Sequence, residues 1–335
     1  TMKYYIIAGE ASGDLHGSNL IKGILYYDPT AEIKAWGGDL MEQSGAELIR
    51  HYKDTAVMGY MSVLKSLKKI KNNIDFCKKD IIAQKPDVVI FIDYPGFNLR
   101  IAKFAKKAGF TTFYYIAPKI WAWKTYRIKS IKKYIDRIYS ILPFEIDFYK
   151  KYNYEIEYVG NPLLDAIEAK LKKNELFDDF ITRHQIEHKP YIALLPGSRR
   201  QEISFLLPSM LKLTERFPQY QFLVSAAPAI SDDFYDKFVN SSNIALVKND
   251  TYQLVKHADA AVVASGTAVL ETALIGTPQV AVYKVGGGLF SHLVGKIVIK
   301  VKWATLVNLI MHKEIVKELL QKNFTMQNLV RELSA

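Results

Sequence analysis

The stretch IIAGEASGDLHG, residues 6–17, decides the fold of the first half of this chain. In it, apolar residues run into a turn of small residues, and a segment with helical spacing follows. The stretch IALLPGSRRQEI, residues 192–203, repeats this order of strand, turn and helix. A strand that turns directly into a helix is typical of a doubly wound α/β unit. The two stretches therefore predict two such units in one chain.

Short apolar runs alternate with longer helical stretches around both turns. Because parallel strands need crossover connections, this alternation predicts two parallel sheets. The predicted strands lie in KYYIIAGE, AEIKAWGG, PDVVIFIDYP, TTFYYIAP, RIYSILP and EIEYVGNP, and then in YIALLPGSRR, YQFLVSAAP, NIALVKN, AAVVASGT and PQVAVYK. A charged connector over residues 163–189 separates the two series, so we expect two domains, residues 1–165 and 166–335.

The chain is basic, with 45 Lys and Arg residues against 34 Asp and Glu residues and a net charge of +11. This excess favours an anionic partner: a nucleic acid, a phosphorylated substrate or an acidic membrane surface. The single cysteine, Cys77, excludes an internal disulfide and predicts a reducing compartment, so we expect a cytoplasmic protein. Neither a signal peptide nor an apolar run of about 18 residues is present, so any membrane contact is expected to be peripheral.

An anion site is predicted where the second strand–turn–helix stretch begins its helix. Gly197 and Ser198 form the turn, and Arg199 follows at the helix start. Free amide groups, the positive end of the helix dipole and a guanidinium all favour phosphate oxygens. A capped helix with solvated arginines remains the alternative.

The stretch ASGTAVLETALIGTP, residues 264–278, belongs to the same chemistry. Ser265 or Thr267 is expected to cap the helix that follows, and Gly266 lets a diphosphate approach the backbone. Glu271 lies one turn into this helix, where a carboxylate can accept hydrogen bonds from a ribose diol. The alternative is that Glu271 only complements the helix dipole.

Metal and cofactor chemistry find no support in the sequence. None of the 18 aspartates forms an Asp-x-Asp pair, so a diphosphate must be neutralised by arginine and helix ends. His184 and His188 of HQIEH match a zinc motif formally, but they lie in the charged connector and lack a third ligand. We therefore expect neither a metal nor a cofactor.

Carboxylates are predicted at the carboxyl edge of the first sheet. Asp93 ends the strand of FIDYPGFN, and Glu10 and Asp14 follow the first strand in GEASGD. Carboxylates that lie close together raise the pKa of one of them, which suits a general base. Up to three acidic side chains are therefore expected to line this edge.

Two further stretches combine apolar and basic residues. In MGYMSVLKSLKKIKNN, Tyr60, Met61, Val63 and Leu64 precede a run of lysines, which predicts a helix in an anionic membrane interface or an ordinary amphipathic surface helix. The stretch YYIAPKIWAWKTYRIKSIKK, residues 114–133, resembles a nucleic-acid-binding pattern, but buried tryptophans followed by a solvated helix face are commoner. We expect no nucleic-acid partner.

Nine motifs in series resemble the bacterial lipid-A-disaccharide synthase family, from about residue 3 to the VKELLQ stretch near the end. They are GEASGDLHG, WGGDLMEQSG, VMGYMSVL, FIDYPGFN, APKIWAWK, LPFEIDFY, VGNPLLD, LLPGSRRQEI and ASGTAVLETALIGTPQVAVYK. The resemblance implies a GT-B glycosyltransferase, with two Rossmann-like doubly wound domains facing across a cleft. It puts the acceptor and membrane side in the first domain and the UDP-sugar donor side in the second.

The implied reaction joins UDP-2,3-diacylglucosamine to 2,3-diacylglucosamine 1-phosphate, with inversion and without a metal. The products are lipid A disaccharide 1-phosphate and UDP, and the family works peripherally at the inner membrane. A homodimer is compatible with the resemblance. In the motifs, Asp93 matches the favoured catalytic base and Glu10 a rival for that role. The residues that match nucleotide-binding positions are Gly197, Ser198, Arg199, Ser265, Gly266, Thr267, Glu271 and Asn308.

This sequence departs from the family pattern at several of these motifs. Gly96 stands where a second aspartate is frequent, which strengthens the assignment of Asp93, and Val307 replaces a proline next to Asn308. Two other functions remain open on the residues alone. One is a UDP-N-acetylglucosamine 2-epimerase with the same fold, and the other is a non-catalytic protein that binds anionic lipid.

Overall fold

The computed structural model describes residues 1–55, 63–122, 125–239, 242–284 and 302–335, with only the backbone described for residues 63–66. These residues form two compact units, Thr1–Pro162 and Leu163–Ala335. Each unit contains one sheet, and all strand pairs in both sheets are parallel. The predicted class of two doubly wound Rossmann-like units is therefore confirmed.

The first unit has a seven-stranded sheet in the order β3-β2-β1-β4-β5-β6-β7. Its strands are β1 (Lys3–Ala8), β2 (Glu32–Gly37), β3 (Glu47–His51), β4 (Val88–Ile92), β5 (Thr111–Tyr115), β6 (Arg137–Ser140) and β7 (Glu157–Tyr158). Its helices are α1 (Ala11–Tyr27), α2 (Asp39–Gln43), α3 (Tyr52–Thr55), α4 (Val63–Gln84), α5 (Pro95–Lys107), α6 (Ile128–Tyr134) and α7 (Glu145–Lys150).

The second unit has a six-stranded sheet in the order β10-β9-β8-β11-β12-β13, preceded by the connector helices α8 (Pro162–Lys170) and α9 (Phe177–His184). Its strands are β8 (Tyr191–Leu195), β9 (Gln221–Ala226), β10 (Ile244–Lys248), β11 (Ala260–Ala264), β12 (Gln279–Tyr283) and β13 (Lys317–Leu320). Its other helices are α10 (Arg200–Leu211), α11 (Asp232–Asp236), α12 (Thr251–Lys256), α13 (Thr267–Ile275), α14 (Leu306–Met311) and α15 (Met326–Ser334).

Both faces of each sheet are covered by apolar clusters. Because successive side chains of a strand point to opposite faces, Tyr5 and Ile7 of β1 join one cluster and Ile6 and Ala8 join the other. A strand that is buried on both faces consists of consecutive apolar residues rather than alternating ones. This is why the central strands were recognisable as short apolar runs.

The order of strands reverses once in each sheet. In the first sheet the chain leaves β1 in one direction and returns to β4 on its other side, and Ala8 pairs with Ile92. In the second sheet β8 and β11 have the same relationship, and Leu195 pairs with Val263. Ligands of open α/β sheets bind outside the carboxyl ends of the strands at such reversal points. These two edges are therefore the candidate sites.

Candidate active and nucleotide-binding sites

Asp93 follows β4 directly and has a left-handed backbone conformation. Its φ is +43°, and the φ of Tyr94 is +49°. Such angles cost free energy in residues other than glycine, so surrounding contacts must hold them. The side-chain amide of Asn98 and the hydroxyl of Tyr114 both donate to the main-chain carbonyl of Asp93, at 2.8 and 2.6 Å. Both donors are fully buried, so the turn is fixed from beneath while Asp93 itself is exposed.

The surroundings of the Asp93 carboxylate shift its acidity. Although the residue is exposed, the protein atoms crowded around its carboxyl group raise its pKa above the ordinary value. The charge of Lys119, the N–H of Tyr94 and His16 act in the opposite direction. Partial burial lowers the pKa of His16, whose buried Nδ1 atom has no hydrogen-bond partner among the described residues. A carboxylate whose pKa is raised is a stronger proton acceptor than an ordinary aspartate.

Gly9 and Glu10 lie at the end of β1, next to this turn. A Cβ atom on Gly9 would lie 2.3 Å from the ring of Tyr94, so only glycine lets the two strand ends approach so closely. Glu10 precedes α1 and is exposed. Burial and the charge of Glu10 raise the pKa of Tyr94, so the Glu10 carboxylate acts on the residue next to Asp93. The structure thus brings Glu10 and Asp93 to one edge.

Asp14 does not join them. Its carboxylate accepts hydrogen bonds from the main-chain N–H groups of Gly38, Leu40 and Met41 at 2.8, 3.2 and 3.0 Å. These contacts cap the start of α2, and Asp14 is buried. The expectation that three carboxylates line the edge is therefore wrong for Asp14, because free amide groups compete for the same side chain.

The turn after β8 has the predicted shape but contains an internal anion. Gly197 has a φ of +107°, and a Cβ atom there would lie 2.1 Å from a carboxylate oxygen of Glu202. That carboxylate accepts a hydrogen bond from the N–H of Ser198 at 3.3 Å. Burial raises the pKa of Glu202, whereas the N–H of Ser198 and the charge of Arg199 lower it. The amide groups expected to hold a phosphate are therefore already in contact with a carboxylate.

At the turn between β11 and α13, the described part of the chain places no carboxylate against the amide groups. Gly266 occupies the N-cap position, and among the described residues no side chain caps the helix, which begins at Thr267. The expectation that Ser265 or Thr267 caps α13 is wrong, because the cap position falls on the glycine between them. Ser265 instead donates its main-chain N–H to Val282 at 2.8 Å. The space beside Gly266 is open, and Gly266 and Thr267 are exposed.

Glu271 lies one turn further along α13 and lines a pocket of about 750 Å³ in the second unit. The hydroxyl of Tyr252 donates to Glu271 Oε1 at 2.9 Å. Burial raises the pKa of Glu271, while the hydrogen bond from Tyr252 and the charge of Lys170 lower it. The pocket is also lined by the loop between β10 and α12 and by the connector helices. Cationic side chains, among them Lys170 and Lys248, therefore line this pocket together with the half-buried carboxylate of Glu271.

An ion-pair cluster holds the connector against this pocket. Arg183 of α9 pairs with both Glu175 and Asp250, and His184 Nε2 lies 2.8 Å from a carboxylate oxygen of Asp250. Hydrogen bonding from Arg183 lowers the pKa of Glu175 to about 2. Because Asp250 immediately precedes α12, the cluster fixes the start of the helix that carries Tyr252. His188 pairs with a different carboxylate, that of Asp178.

Asn308 occupies a different environment from the other predicted nucleotide-binding residues. It is fully buried, its side-chain amide donates to Val316 and Glu318, and its carbonyl oxygen accepts from the N–H groups of Ile315 and Val316. These bonds use both the donor nitrogen and the acceptor oxygen of the side-chain amide. In this structure Asn308 therefore joins α14 to the segment before β13, and it presents no free group to a ligand.

Several predictions concern residues outside those described. Tyr60 and Met61 lie there, and so do the side chains of Val63 and Leu64. Of the two tryptophans in residues 114–133, Trp121 is described: its indole N–H donates to Glu145 at 2.9 Å. Its ring lies 4.9 Å from that of Phe144. Trp121 is thus a packed side chain, as the alternative to nucleic-acid binding predicts.

Three residues that shape these edges were not predicted: Asn98, Glu202 and Tyr252. Glu202 had a recognisable signal, since a glutamate three residues after the N-cap commonly reaches back to the first amides of a helix. Asn98 lies inside the FIDYPGFN motif, but its bond to Asp93 depends on the left-handed turn. Tyr252 had no signal in the sequence, because its partner lies 19 residues away on another helix.

Comparison with known proteins places these sites in context. Residues 4–335 match the family described as lipid-A-disaccharide synthetase. The chain is 39% identical to the lipid-A-disaccharide synthase of Syntrophus aciditrophicus, covering 98% of this chain and 87% of the relative. It is 38% identical to the lipid-A-disaccharide synthase of Coxiella burnetii, and the match covers 98% of this chain and 87% of that relative. A solved UDP-GlcNAc 2-epimerase of Methanocaldococcus jannaschii, in complex with UDP-GlcNAc and UDP, has a TM-score of 0.66, 15% identity and coverages of 99% and 92%.

Two Rossmann-like units, each with a candidate site at its strand-reversal point, define the GT-B class of fold. Likeness to the epimerase at 15% identity shows this fold alone. The family model matches nearly the whole chain, and this match assigns the family: the chain belongs to the lipid-A-disaccharide synthetase family. It is accordingly a glycosyltransferase.

Proposed function

We propose that this chain transfers 2,3-diacylglucosamine from its UDP derivative to the 6-hydroxyl of 2,3-diacylglucosamine 1-phosphate, with inversion at the anomeric carbon. The products are lipid A disaccharide 1-phosphate and UDP. The names of relatives at 38–39% identity support this reaction. The observation that carries the proposal is the Asp93 carboxylate, which a fixed left-handed turn presents at the reversal point of the first sheet.

Asp93 is the proposed base. The acceptor oxygen attacks the anomeric carbon while the bond from that carbon to the diphosphate oxygen breaks, and the bonding electron pair leaves with UDP. An alcohol is far less acidic than a carboxylic acid, so Asp93 accepts the hydroxyl proton as the new bond forms. A raised pKa makes Asp93 a stronger base than an ordinary aspartate. Glu10, at the same edge, is the second candidate.

The donor nucleotide is assigned to the second unit. The amides at the start of α13, which no described side chain caps, offer hydrogen bonds to phosphate oxygens together with Ser265, Gly266 and Thr267. Arg199 is exposed beside the turn after β8, where a guanidinium stabilises the negative charge that develops on departing UDP. Glu271 is assigned to the ribose hydroxyls because it lines the pocket. Gly197 and Ser198 supply the remaining amides once Glu202 yields to the diphosphate.

A peripheral contact with the cytoplasmic face of the inner membrane is part of the proposal. Ile70, Ile74, Cys77 and Ile81 of α4 pack into the first unit, whereas Leu67 is 58% exposed. Lys68 and Lys71 are exposed near Leu67. Apolar and cationic groups side by side favour an anionic bilayer surface. No helix among the described residues is long and apolar enough to cross a bilayer.

The decisive experiment supplies both diacylated substrates and follows the disaccharide and UDP by mass spectrometry. Wild type should form both products, and Asp93→Asn should reduce turnover at least about a thousandfold, a typical loss for a base, while it still binds UDP. Asp147→Asn, an exposed carboxylate of α7, is the matched control and should retain activity. Epimer formation from UDP-N-acetylglucosamine alone would instead support the epimerase, and equal losses of UDP binding and turnover would contradict the role of Asp93.

The membrane contact has its own test. Replacing Met61, Val63 and Leu64 by serine should weaken sedimentation with vesicles that contain phosphatidylglycerol. Ile82→Ser, at an exposed apolar position near the other end of α4, serves as the control. Unchanged sedimentation of the triple variant would contradict this interface.

A further inference from the structure

We propose that Tyr252 orients the carboxylate of Glu271 toward the ribose diol of the donor and so makes the second unit select ribonucleotides over deoxyribonucleotides. Tyr252 is thus a positioning residue for donor recognition. The inference rests on the proposed function, in which a UDP-sugar binds this unit.

The geometry of the pair supports this role. The Tyr252 hydroxyl donates to Oε1 of Glu271 at 2.9 Å, and both side chains line the same pocket of about 750 Å³. A hydrogen bond to one carboxylate oxygen fixes the plane of the group and leaves Oε2 with its full accepting capacity. Burial raises the pKa of Glu271, and the hydrogen bond from Tyr252 and the charge of Lys170, from the connector, oppose that rise. The carboxylate is therefore held in place as an acceptor.

The start of the helix that carries Tyr252 is itself held in place by the connector. Tyr252 lies on the first turn of α12, two residues after Asp250. Arg183 and His184 both contact the carboxylate of Asp250. The connector helix α9 therefore fixes the loop from which Tyr252 reaches Glu271. This rigidity is what a site needs if it is to reject ligands that lack one hydroxyl group.

The chemistry of the ligand follows from the acceptor. An ionised carboxylate only accepts hydrogen bonds, so its partner must bring donors, and a vicinal diol brings two on adjacent carbons. When one hydroxyl is missing, a desolvated carboxylate oxygen loses its partner and binding weakens. A carboxylate that is free to rotate can turn toward water instead, which reduces this penalty. Removing the Tyr252 hydroxyl should therefore weaken the binding of UDP more than it weakens the binding of 2′-deoxy-UDP.

Calorimetry with UDP and 2′-deoxy-UDP tests the inference. Wild type should bind UDP about tenfold more tightly than 2′-deoxy-UDP, as one charge-assisted hydrogen bond predicts. Tyr252→Phe should reduce this ratio to about threefold or less, and Glu271→Gln should do the same. Tyr191→Phe is the matched control, because the buried Tyr191 hydroxyl donates to the main-chain carbonyl of Leu254 in the same helix at 2.6 Å. It should keep the wild-type ratio.

The possible results separate the inference from the function it rests on. If Tyr252→Phe weakens both nucleotides by one factor and keeps their ratio, the residue is only structural and the inference is wrong. If wild type binds both nucleotides equally, the inference is wrong while the proposed reaction stands. If wild type makes the disaccharide but Glu271→Gln keeps full discrimination, the diol is bound elsewhere. Failure of wild type to bind UDP contradicts both.

Discussion

The hydroxyl oxygen of Tyr114 lies 2.6 Å from the main-chain carbonyl oxygen of Asp93. This contact joins the buried end of β5 to the turn after the neighbouring strand β4. Asn98 donates to the same carbonyl from α5. Two buried side chains therefore hold the backbone of the proposed base in a conformation that an aspartate rarely adopts.

Removing the Tyr114 hydroxyl should impair catalysis without impairing nucleotide binding. We expect Tyr114→Phe to lower kcat about tenfold, because a small displacement of a base from its acceptor proton is costly. The Kd for UDP should be unchanged. Tyr154→Phe removes the same kind of bond, from a hydroxyl to the main-chain carbonyl of Ile135 at 2.8 Å. Both variants should lose about 1 kcal/mol of stability. Equal kcat values for the two would show that Tyr114 does not position Asp93.

The pH dependence of kcat/KM should report Asp93. The base must be ionised, so activity is lost as pH falls through its pKa, which the protein atoms crowded around the carboxyl group raise. Lys119 lowers that pKa, and Lys119→Ala should therefore move the acid limb of the profile to higher pH. Lys129→Ala, an exposed lysine of α6, should leave the limb in place. A shift to lower pH in Lys119→Ala, or equal shifts in both variants, would contradict this assignment.

Neutralising Glu202 should strengthen UDP binding. Its carboxylate accepts from the Ser198 N–H, where the proposed site needs donors for a diphosphate. Glutamine can still cap the helix, but it removes a negative charge beside the ligand. We expect Glu202→Gln to lower the Kd for UDP about fivefold at low salt, a typical effect of one partly screened charge. Glu215→Gln, on the exposed turn after α10, is the calorimetric control. Weaker binding in Glu202→Gln would show instead that the carboxylate prepares the turn for the ligand.

Glu145 should make the stability of the chain fall as pH rises. It is buried, bonded to Trp121 and Ser140, and burial raises its pKa from 4.5 to about 7. The folded chain therefore holds a proton that the unfolded chain releases between these values. The contribution of Glu145 to the free energy of unfolding is fully present below about pH 4.5. It falls by about 3 kcal/mol as the pH rises to about 7.

Urea unfolding at about pH 5 and about pH 8 measures this decrease in the free energy of unfolding. Glutamine stays neutral over this range, so Glu145→Gln should lose much of the decrease that wild type shows. Glu155→Gln, at an exposed position in the same unit, should retain it. If Glu145→Gln shows the same decrease as wild type, Glu145 does not titrate in this range.

The central strands were predictable because burial on both faces leaves an unbroken apolar run. Two edge strands were not predicted, β3 (ELIRH) and β13 (KELL). Among the described strands each has one neighbour in its sheet, and most residues of both strands are exposed or only partly buried. An edge strand can therefore carry charged side chains and loses the apolar signal.

The caps show a second limit of the sequence. Asp14, Ser265 and Thr267 have side chains that can cap a helix, bind a ligand or stay solvated, and the residue type does not choose. The choice depends on which amides lie within hydrogen-bond distance in the folded chain. Asp14 meets the start of α2, whereas the cap position of α13 falls on Gly266.

The sequence by itself determined the two doubly wound units, the strand ends that carry the polar residues and the family. Apolar periodicity and turn residues are local properties, and nine motifs in series are specific without coordinates. Only the tertiary structure decided that Tyr114 and Asn98 hold Asp93, that Glu202 occupies the turn after β8 and that Tyr252 meets Glu271. The bonds from Tyr114 and Tyr252 join elements that only packing brings together. Those of Asn98 and Glu202 are local, but they depend on the exact backbone of their turns, and hydrogen-bond geometry is too sensitive to distance and angle for a residue pattern to specify it.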